Sequence, residues 1–242
     1  MNTILELKNI FYSYTKYSHA LKNISLTIEN GERLVMLGSN GCGKSTLLKI
    51  MDNLLIPDSG EVRVFGKILK NLKPSEEYEF RKKVGFVFQD SDVQLFNTNV
   101  FNEVAFAPLQ MGMKSNDVIK LVEETLKSFG LWELKDRSPH RLSGGEKKKV
   151  ALASVMVINP EILLLDEPTN GLDPRSRKWL VKKLIELNAN GTTIVAATHD
   201  LEAARILSNK IIVMNEDHQI EAEGETEEIL NNEELLLRVN LI

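Results

Sequence analysis

A single cysteine among 242 residues leaves no partner for an internal disulfide and no thiolate set for a metal cluster. Basic residues are not in excess: 30 Lys plus Arg stand against 34 Asp plus Glu, for a formal net charge of -4. That balance gives no electrostatic basis for general nucleic-acid binding, which calls for a basic patch or a high pI. Long apolar runs are missing too. The longest, Val150 to Ile158, is interrupted by Ser154, whereas a membrane span needs roughly 20 apolar residues. The start, MNTILELKNIF, shows no basic segment, apolar block and cleavage site, so no signal peptide is expected. The four histidines, His19, His140, His199 and His218, are scattered without ligand-like spacing. No internal repeat or low-complexity tract is visible. What remains is a hydrophobic content of 43% and a charged content of 26%, ordinary for a globular protein, with ample length for a buried core. These bounds predict a soluble, cytosolic, globular chain.

Short apolar blocks alternating with helical patterns suggest an α/β fold. Arg33–Leu37, Val84–Phe88, Ile162–Leu165, Thr193–Ala197 and Ile211–Met214 read as strands of the kind a parallel sheet buries on both faces. Lys44–Met51 reads as a helix. Ser115 is expected to N-cap another, with Val118, Val122, Leu126 and Phe129 on one face before Gly130. A helix from near Ser143 to about Ile158 follows. The whole chain, 1–242, is thus expected to be one domain, with a mostly helical insertion at about 90–158. A further amphipathic helix is expected over Ser176–Ala189, and the tail from Thr226, acidic and then apolar at Leu235–Leu237, as a docked helix.

Gly38-Ser39-Asn40-Gly41-Cys42-Gly43-Lys44-Ser45 fits the pattern G-x-x-x-x-G-K-[ST] between a predicted strand and a predicted helix. Glycines let successive backbone N–H groups turn toward phosphate oxygens, and the helix adds its positive dipole end. Lys44 is expected to reach the β- and γ-phosphates and the Ser45 hydroxyl to ligate Mg²⁺. Cys42 reads as a small side chain, with modest thiol reactivity expected from the adjacent helix N-terminus. The strand Ile162–Leu165 ends in Asp166 and Glu167, at the place where α/β sheets put ligand chemistry. Asp166 is the candidate Mg²⁺ partner. Glu167, expected to point to the other side by strand alternation, is the candidate general base. Leu142-Ser143-Gly144-Gly145-Glu146 contains a capping box, Ser143 with Glu146. Two glycines in a first helical turn cost stability, however, and expose bare N–H groups to an anion from elsewhere.

With these residues in view, the chain resembles the nucleotide-binding subunits of ABC transporters over nearly its whole length. LSGGE at 142–146 is similar to the signature LSGGQ, 38–45 to Walker A and 162–167 to Walker B with its glutamate. Gln89 matches the Q-loop glutamine, Asp173 in Asn170-Gly-Leu-Asp173 the D-loop, His199 the switch histidine, and Tyr14 the aromatic that stacks on adenine. The departures are Glu146 for Gln and lysines at 147–149, where Arg is frequent. The resemblance implies a P-loop NTPase core with a mainly parallel sheet, an N-terminal antiparallel β portion and a helical insertion. It implies an ATPase using ATP and Mg²⁺, the nucleotide held by Tyr14 and the loop from Gly38 through Thr46. Mg²⁺ would lie near Ser45, Gln89 and Asp166, with Lys44, Gln89, Glu167 and His199 catalytic. It also implies head-to-tail pairing, in which Ser143, Gly144, Gly145 and Glu146 of one domain face the ATP of the other.

The segment Gln89-Asp-Ser-Asp-Val-Gln-Leu-Phe96, followed by Val104–Pro108 and Leu109–Met113, resembles the cobalt/nickel type of energy-coupling-factor (ECF) ATPases; vitamin-type members share much of it. Apolar residues here, Phe96, Val100, Val104 and Phe106, either fill the helical insertion or meet a membrane partner. The implied function is to power Co²⁺ or Ni²⁺ import from the cytoplasmic face of the cell membrane. The implied partners are a second ATPase, like or unlike, an integral membrane coupling subunit and a substrate-binding membrane subunit. A vitamin importer is the alternative. A soluble, non-transport ABC ATPase is a more distant one, because the 54 positions from Gln89 to Ser143 leave no room for the long coiled coil of repair ATPases.

Overall fold

The computed structural model describes residues 2–242. A long antiparallel pair opens the chain, β1 (Thr3–Thr15) and β2 (Ser18–Glu29). It is followed by β3 (Arg33–Leu37), α1 (Lys44–Met51), β4 (Ser59–Val64), β5 (Lys67–Ile68), α2 (Pro74–Lys83) and β6 (Val84–Val87). Four helices come next: the single-turn α3 (Ser91–Gln94), then α4 (Val100–Gln110), α5 (Ser115–Ser128) and α6 (Gly144–Met156). The chain closes with β7 (Ile162–Asp166), α7 (Pro174–Ala189), β8 (Thr193–Thr198), α8 (Leu201–Leu207), β9 (Lys210–Met214), β10 (Ile220–Glu225), α9 (Thr226–Leu230) and α10 (Glu233–Arg238).

The strands form two sheets, β2-β1-β4-β5 and β10-β9-β3-β8-β7-β6. The first is antiparallel. In the second, β9, β3, β8, β7 and β6 run parallel, and β10 is an antiparallel edge. Strict alternation divides the parallel strands between two cores. Val35, Leu37, Leu163, Leu165, Ile194 and Ala196 face the helices α4–α7, while Leu34, Met36, Ile162, Leu164, Val195 and Ala197 face α1 and the antiparallel sheet. Burial on both faces explains why these strands read as unbroken apolar blocks. The parallel strands end together, so the segments after β3, β7 and β8 open on one edge of the sheet, where doubly covered sheets bind ligands.

Some local expectations need correction. Lys114, extended at φ -66° and ψ 139°, is the cap of α5 and makes no side-chain cap bond, so Ser115 is the first helical residue. Helix α7 starts two residues before Ser176, because Asp173 caps it and Pro174 takes the position where a missing N–H costs nothing. The tail is two short helices in which Leu235 and Leu236 are buried and Leu237 is 60% exposed. Helix α2 lacks an apolar stripe because only Phe80 of its ten residues is buried, although Pro74, the acidic Glu76 and Glu77 and the basic Arg81–Lys83 mark its two ends.

Candidate functional site

β3 delivers the chain to Gly38, and the loop that follows is shaped by close approach. A Cβ on Gly38 would lie 2.5 Å from the Cys42 sulfur and 2.7 Å from the Met214 carbonyl oxygen; on Gly43 it would lie 2.4 Å from the Ala20 carbonyl oxygen. Gly43 also adopts φ +112°, open only to glycine at little cost. Lys44 Nζ folds back over the loop, donating to the carbonyls of Gly38 at 2.7 Å and Ser39 at 3.1 Å. Ser45 Oγ donates to Asp166 Oδ1 at 2.8 Å. Ser39 Oγ is buried and has no hydrogen-bond partner among the described residues. An orphaned hydroxyl inside a curl of N–H groups fits an anionic oxygen that it would bind. Cys42 corrects the expectation of a reactive thiol. It is 2% exposed, and burial pushes its thiol up despite the nearby Lys44.

Asp166 closes β7, and burial pushes its carboxyl up while the Ser45 bond opposes the shift. Glu167 does not continue the strand's alternation: its φ is +42°, a left-handed backbone unusual outside glycine. The twist is held by its N–H donating to the Ala197 carbonyl at 2.9 Å. It aims the carboxylate so that Oε1 accepts from His199 Nδ1 at 3.0 Å and lies 3.8 Å from Lys44 Nζ, while Oε2 accepts from Thr198 Oγ1 at 3.1 Å. Strain at such a residue persists where neighbours over-determine it, as at functional sites.

A cavity of about 470 Å³ joins these pieces. Its walls include Lys44, Ser45, Thr46, Gln89, Glu167 and His199, with Tyr14 at the mouth sharing a 3.1 Å hydrogen bond with Thr46 Oγ1. Asn40, Gly41 and Gly43 line it from the loop.

Outside the cavity, Ser143 caps α6 in a closed capping box. Its N–H and Oγ both donate to Glu146 Oε2 at 2.8 Å, and these bonds hold the Glu146 carboxyl below its usual range. Asp173 is occupied in capping α7, accepting from Ser176 Oγ at 2.6 Å. Gly145 rests on that same serine: a Cβ there would meet Ser176 Oγ at 2.2 Å, whereas one on Gly144 would meet nothing within 4 Å among the described residues.

The profile of the ABC transporter family matches residues 21–170, from within β2 to just beyond Glu167. The chain belongs to the ABC transporter family. An ABC transporter ATP-binding protein of Caldanaerobacter subterraneus subsp. tengcongensis is 63% identical over the full length of both chains. An energy-coupling factor transporter ATP-binding protein of Methanothermobacter thermautotrophicus is 40% identical over 98% of this chain and 76% of its own. The solved structure of cbiO1 from Clostridium perfringens, part of the ABC transporter complex cbiONQ, superposes with a TM-score of 0.86 at 37% identity, covering 100% of this chain and 96% of that one. The chain is therefore an ATP-binding, ATP-hydrolysing subunit of an ABC/ECF-type transporter.

In this ATPase subunit the cavity gathers Tyr14, the phosphate loop, Gln89, Glu167 and His199, while Ser143–Glu146 and Asp173 do not line it. Ser18, His19, Ala20 and His218, not assigned to the site from sequence, also line it, as does Asn170 from the D-loop segment. His218 donates from Nδ1 to the Cys42 carbonyl at 3.2 Å, across 176 positions of sequence. No local spacing signals such a contact. No helix among the described residues is long and apolar enough to cross a membrane.

Proposed function

We propose that this chain is the ATPase subunit of an ECF importer of Co²⁺ or Ni²⁺, closing head to tail with a second ATPase chain on two ATP molecules. The observation that carries the ATP chemistry is the buried Glu167 carboxylate. It is fixed between His199, Thr198 and Lys44 on the wall of the phosphate-loop cavity, a setting that supports the reading of Glu167 as the base toward an attacking water. Adenine stacks on Tyr14. The phosphates lie on the N–H groups from Gly38 to Thr46, Ser39 Oγ gains its partner, and Lys44 exchanges its two carbonyls for the β- and γ-phosphates. Ser45, Asp166 and Gln89 offer only hard oxygen donors, the set that suits Mg²⁺. Bound Mg²⁺ would supply neutralisation of phosphate charge. His199 steadies the γ-phosphate, so catalysis is mostly positioning and charge complementarity.

The signature lies off this cavity with Gly144 open to solvent, which supports the reading that it serves the ATP of a partner chain rather than its own. The apolar residues near Gln89 divide into two groups. Val100 and Val104 are fully buried, whereas Phe96 and Phe106 form an edge-to-face pair at 5.0 Å and are 62% and 41% exposed. An exposed aromatic pair in the segment that follows Gln89 suits a helix of an integral membrane subunit at the cytoplasmic face. The choice of metal rests on the resemblance of residues 89–113 to cobalt/nickel-type members.

Purification of tagged protein from gently solubilised native membranes, with mass spectrometry of co-purifying chains, tests the reading. Integral membrane partners, and cellular Co²⁺ or Ni²⁺ uptake lost on Lys44→Ala, are expected. Uptake of a vitamin instead would overturn the metal, and a chain recovered without membrane partners would overturn the transporter.

A further inference from the structure

Three lysines follow the signature, and each leaves α6 for a different partner. Lys147 Nζ reaches Asp92 Oδ1 at 2.6 Å, and Lys149 Nζ sits 4.5 Å from the centre of the Trp179 ring. Lys148 turns inward. It is 4% exposed, and its Nζ donates to the backbone carbonyls of Gln89 at 2.8 Å and Phe88 at 3.1 Å. Gln94 adds a further tie, accepting from the Phe88 N–H at 3.0 Å and donating to the Ala151 carbonyl in α6, also at 3.0 Å. The stretch 88–94 is thus fastened to the signature helix at Lys147, Lys148 and Ala151. Gln89 is the one residue of that stretch that lines the nucleotide cavity.

No carboxylate lies within ion-pair distance of Lys148 among the described residues, so two neutral carbonyls hold its ammonium, with the charges of Asp166 and Asp90 acting on it from farther away. Burying a charge in this way is costly, and an apolar side chain of similar volume would avoid that cost while leaving both carbonyls without this donor. A need for filling alone would be met better by Met or Leu. The cost makes sense where the position of those carbonyls matters.

We infer that Lys148 is a positioning residue for Gln89, tying the signature helix to the backbone from which Gln89 enters the ATP cavity. Movement of α6 when its signature engages a partner's nucleotide then shifts Gln89 in the same chain's own site, so each half of the pair senses the other. The inference rests on the role proposed above for Gln89.

The test is a double-mutant cycle on steady-state ATPase activity of the full chain, with Lys148→Met, Gln89→Ala and the double variant, each checked by thermal melting. Lys148→Met is expected to lower kcat about tenfold, with KM for ATP unchanged within about twofold, because the phosphate loop is untouched. In the Gln89→Ala background the same change is expected to cost less than about twofold, since Lys148 acts only through Gln89. Equal losses in both backgrounds, or none in either, would overturn the inference and leave the reading of Gln89 standing. A Gln89→Ala variant as active as the parent would overturn both. Should Lys148→Met melt far below the parent, Lys148→Gln, a shorter neutral donor, carries the same cycle with the same criteria.

Discussion

Substituting the two signature glycines separately divides stability from function. Gly144 has open space where a Cβ would go, and it lies in the first turn of α6, where alanine is favoured over glycine by up to about 1 kcal/mol. Gly144→Ala should therefore raise the melting temperature of the nucleotide-free chain by roughly 2–4 °C, the shift 1 kcal/mol produces in a protein of this size. Gly145 is packed instead. Its added Cβ would fall 2.2 Å from Ser176 Oγ and 2.9 Å from Ser176 Cβ, and that hydroxyl is committed to Asp173 at 2.6 Å. Overpacking of this kind costs about 1–3 kcal/mol, so Gly145→Ala should melt several degrees lower. Activity should not follow stability. If Gly144 abuts a partner's γ-phosphate, a methyl group there blocks the approach of its N–H, and losing one such donor lowers turnover about 10²–10³-fold. Differential scanning fluorimetry and phosphate release on the same samples decide the matter. A Gly144→Ala protein that hydrolyses ATP like the parent would refute the placement of the signature against nucleotide.

Asp52, at the end of α1 and bonded to Arg81 at 2.9 Å, is held by burial at a pKa of about 7, with Arg81 opposing. A raised carboxyl favours the folded state fully below the unfolded value of 3.8 and loses that advantage as pH climbs to about 7, a change on the order of 4 kcal/mol. Asp52→Asn should thus match the parent near pH 4 and melt higher at pH 8; a lower melting point at pH 8 would count against this. The Cys42 thiol should react with maleimide only as fast as the chain opens, and ATP should slow it further by favouring the folded state. Labelling at the rate of the denatured chain would contradict the buried placement. Replacing Phe96 and Phe106 together with Ser should leave ATP binding intact and release the subunit from membranes in a sedimentation assay. Retention on membranes would move the docking surface elsewhere.

What could be read in advance was contiguous. The loop from Gly38 to Ser45, the strand ending in Asp166 and the cap at Ser143 each occupy a few neighbouring residues whose spacing carries its own chemistry. Contacts across long separations carried no such signal. His19 and His218 looked scattered, yet β2 and the turn before β10 bring them to the cavity that also takes His199. Glu167 was placed by strand alternation, but its left-handed backbone, held by the Ala197 carbonyl, decides where the carboxylate goes. The division of Val100 and Val104 from Phe96 and Phe106 follows from how α4 packs on α6, which apolar character alone could not distinguish. Gly145 against Ser176 is another packing relation between separate helices.

In the proposed scheme one chain holds half of each catalytic site and ATP joins the halves. The most direct test is the mass in solution of Glu167→Gln, which keeps the side-chain shape beside His199 and Thr198 while removing the proposed base. Light scattering after size-exclusion chromatography should give a monomer without nucleotide and a dimer with saturating ATP and Mg²⁺, the dimer vanishing when Gly144→Ala is added. A Glu167→Gln chain that binds ATP yet stays monomeric would contradict the account.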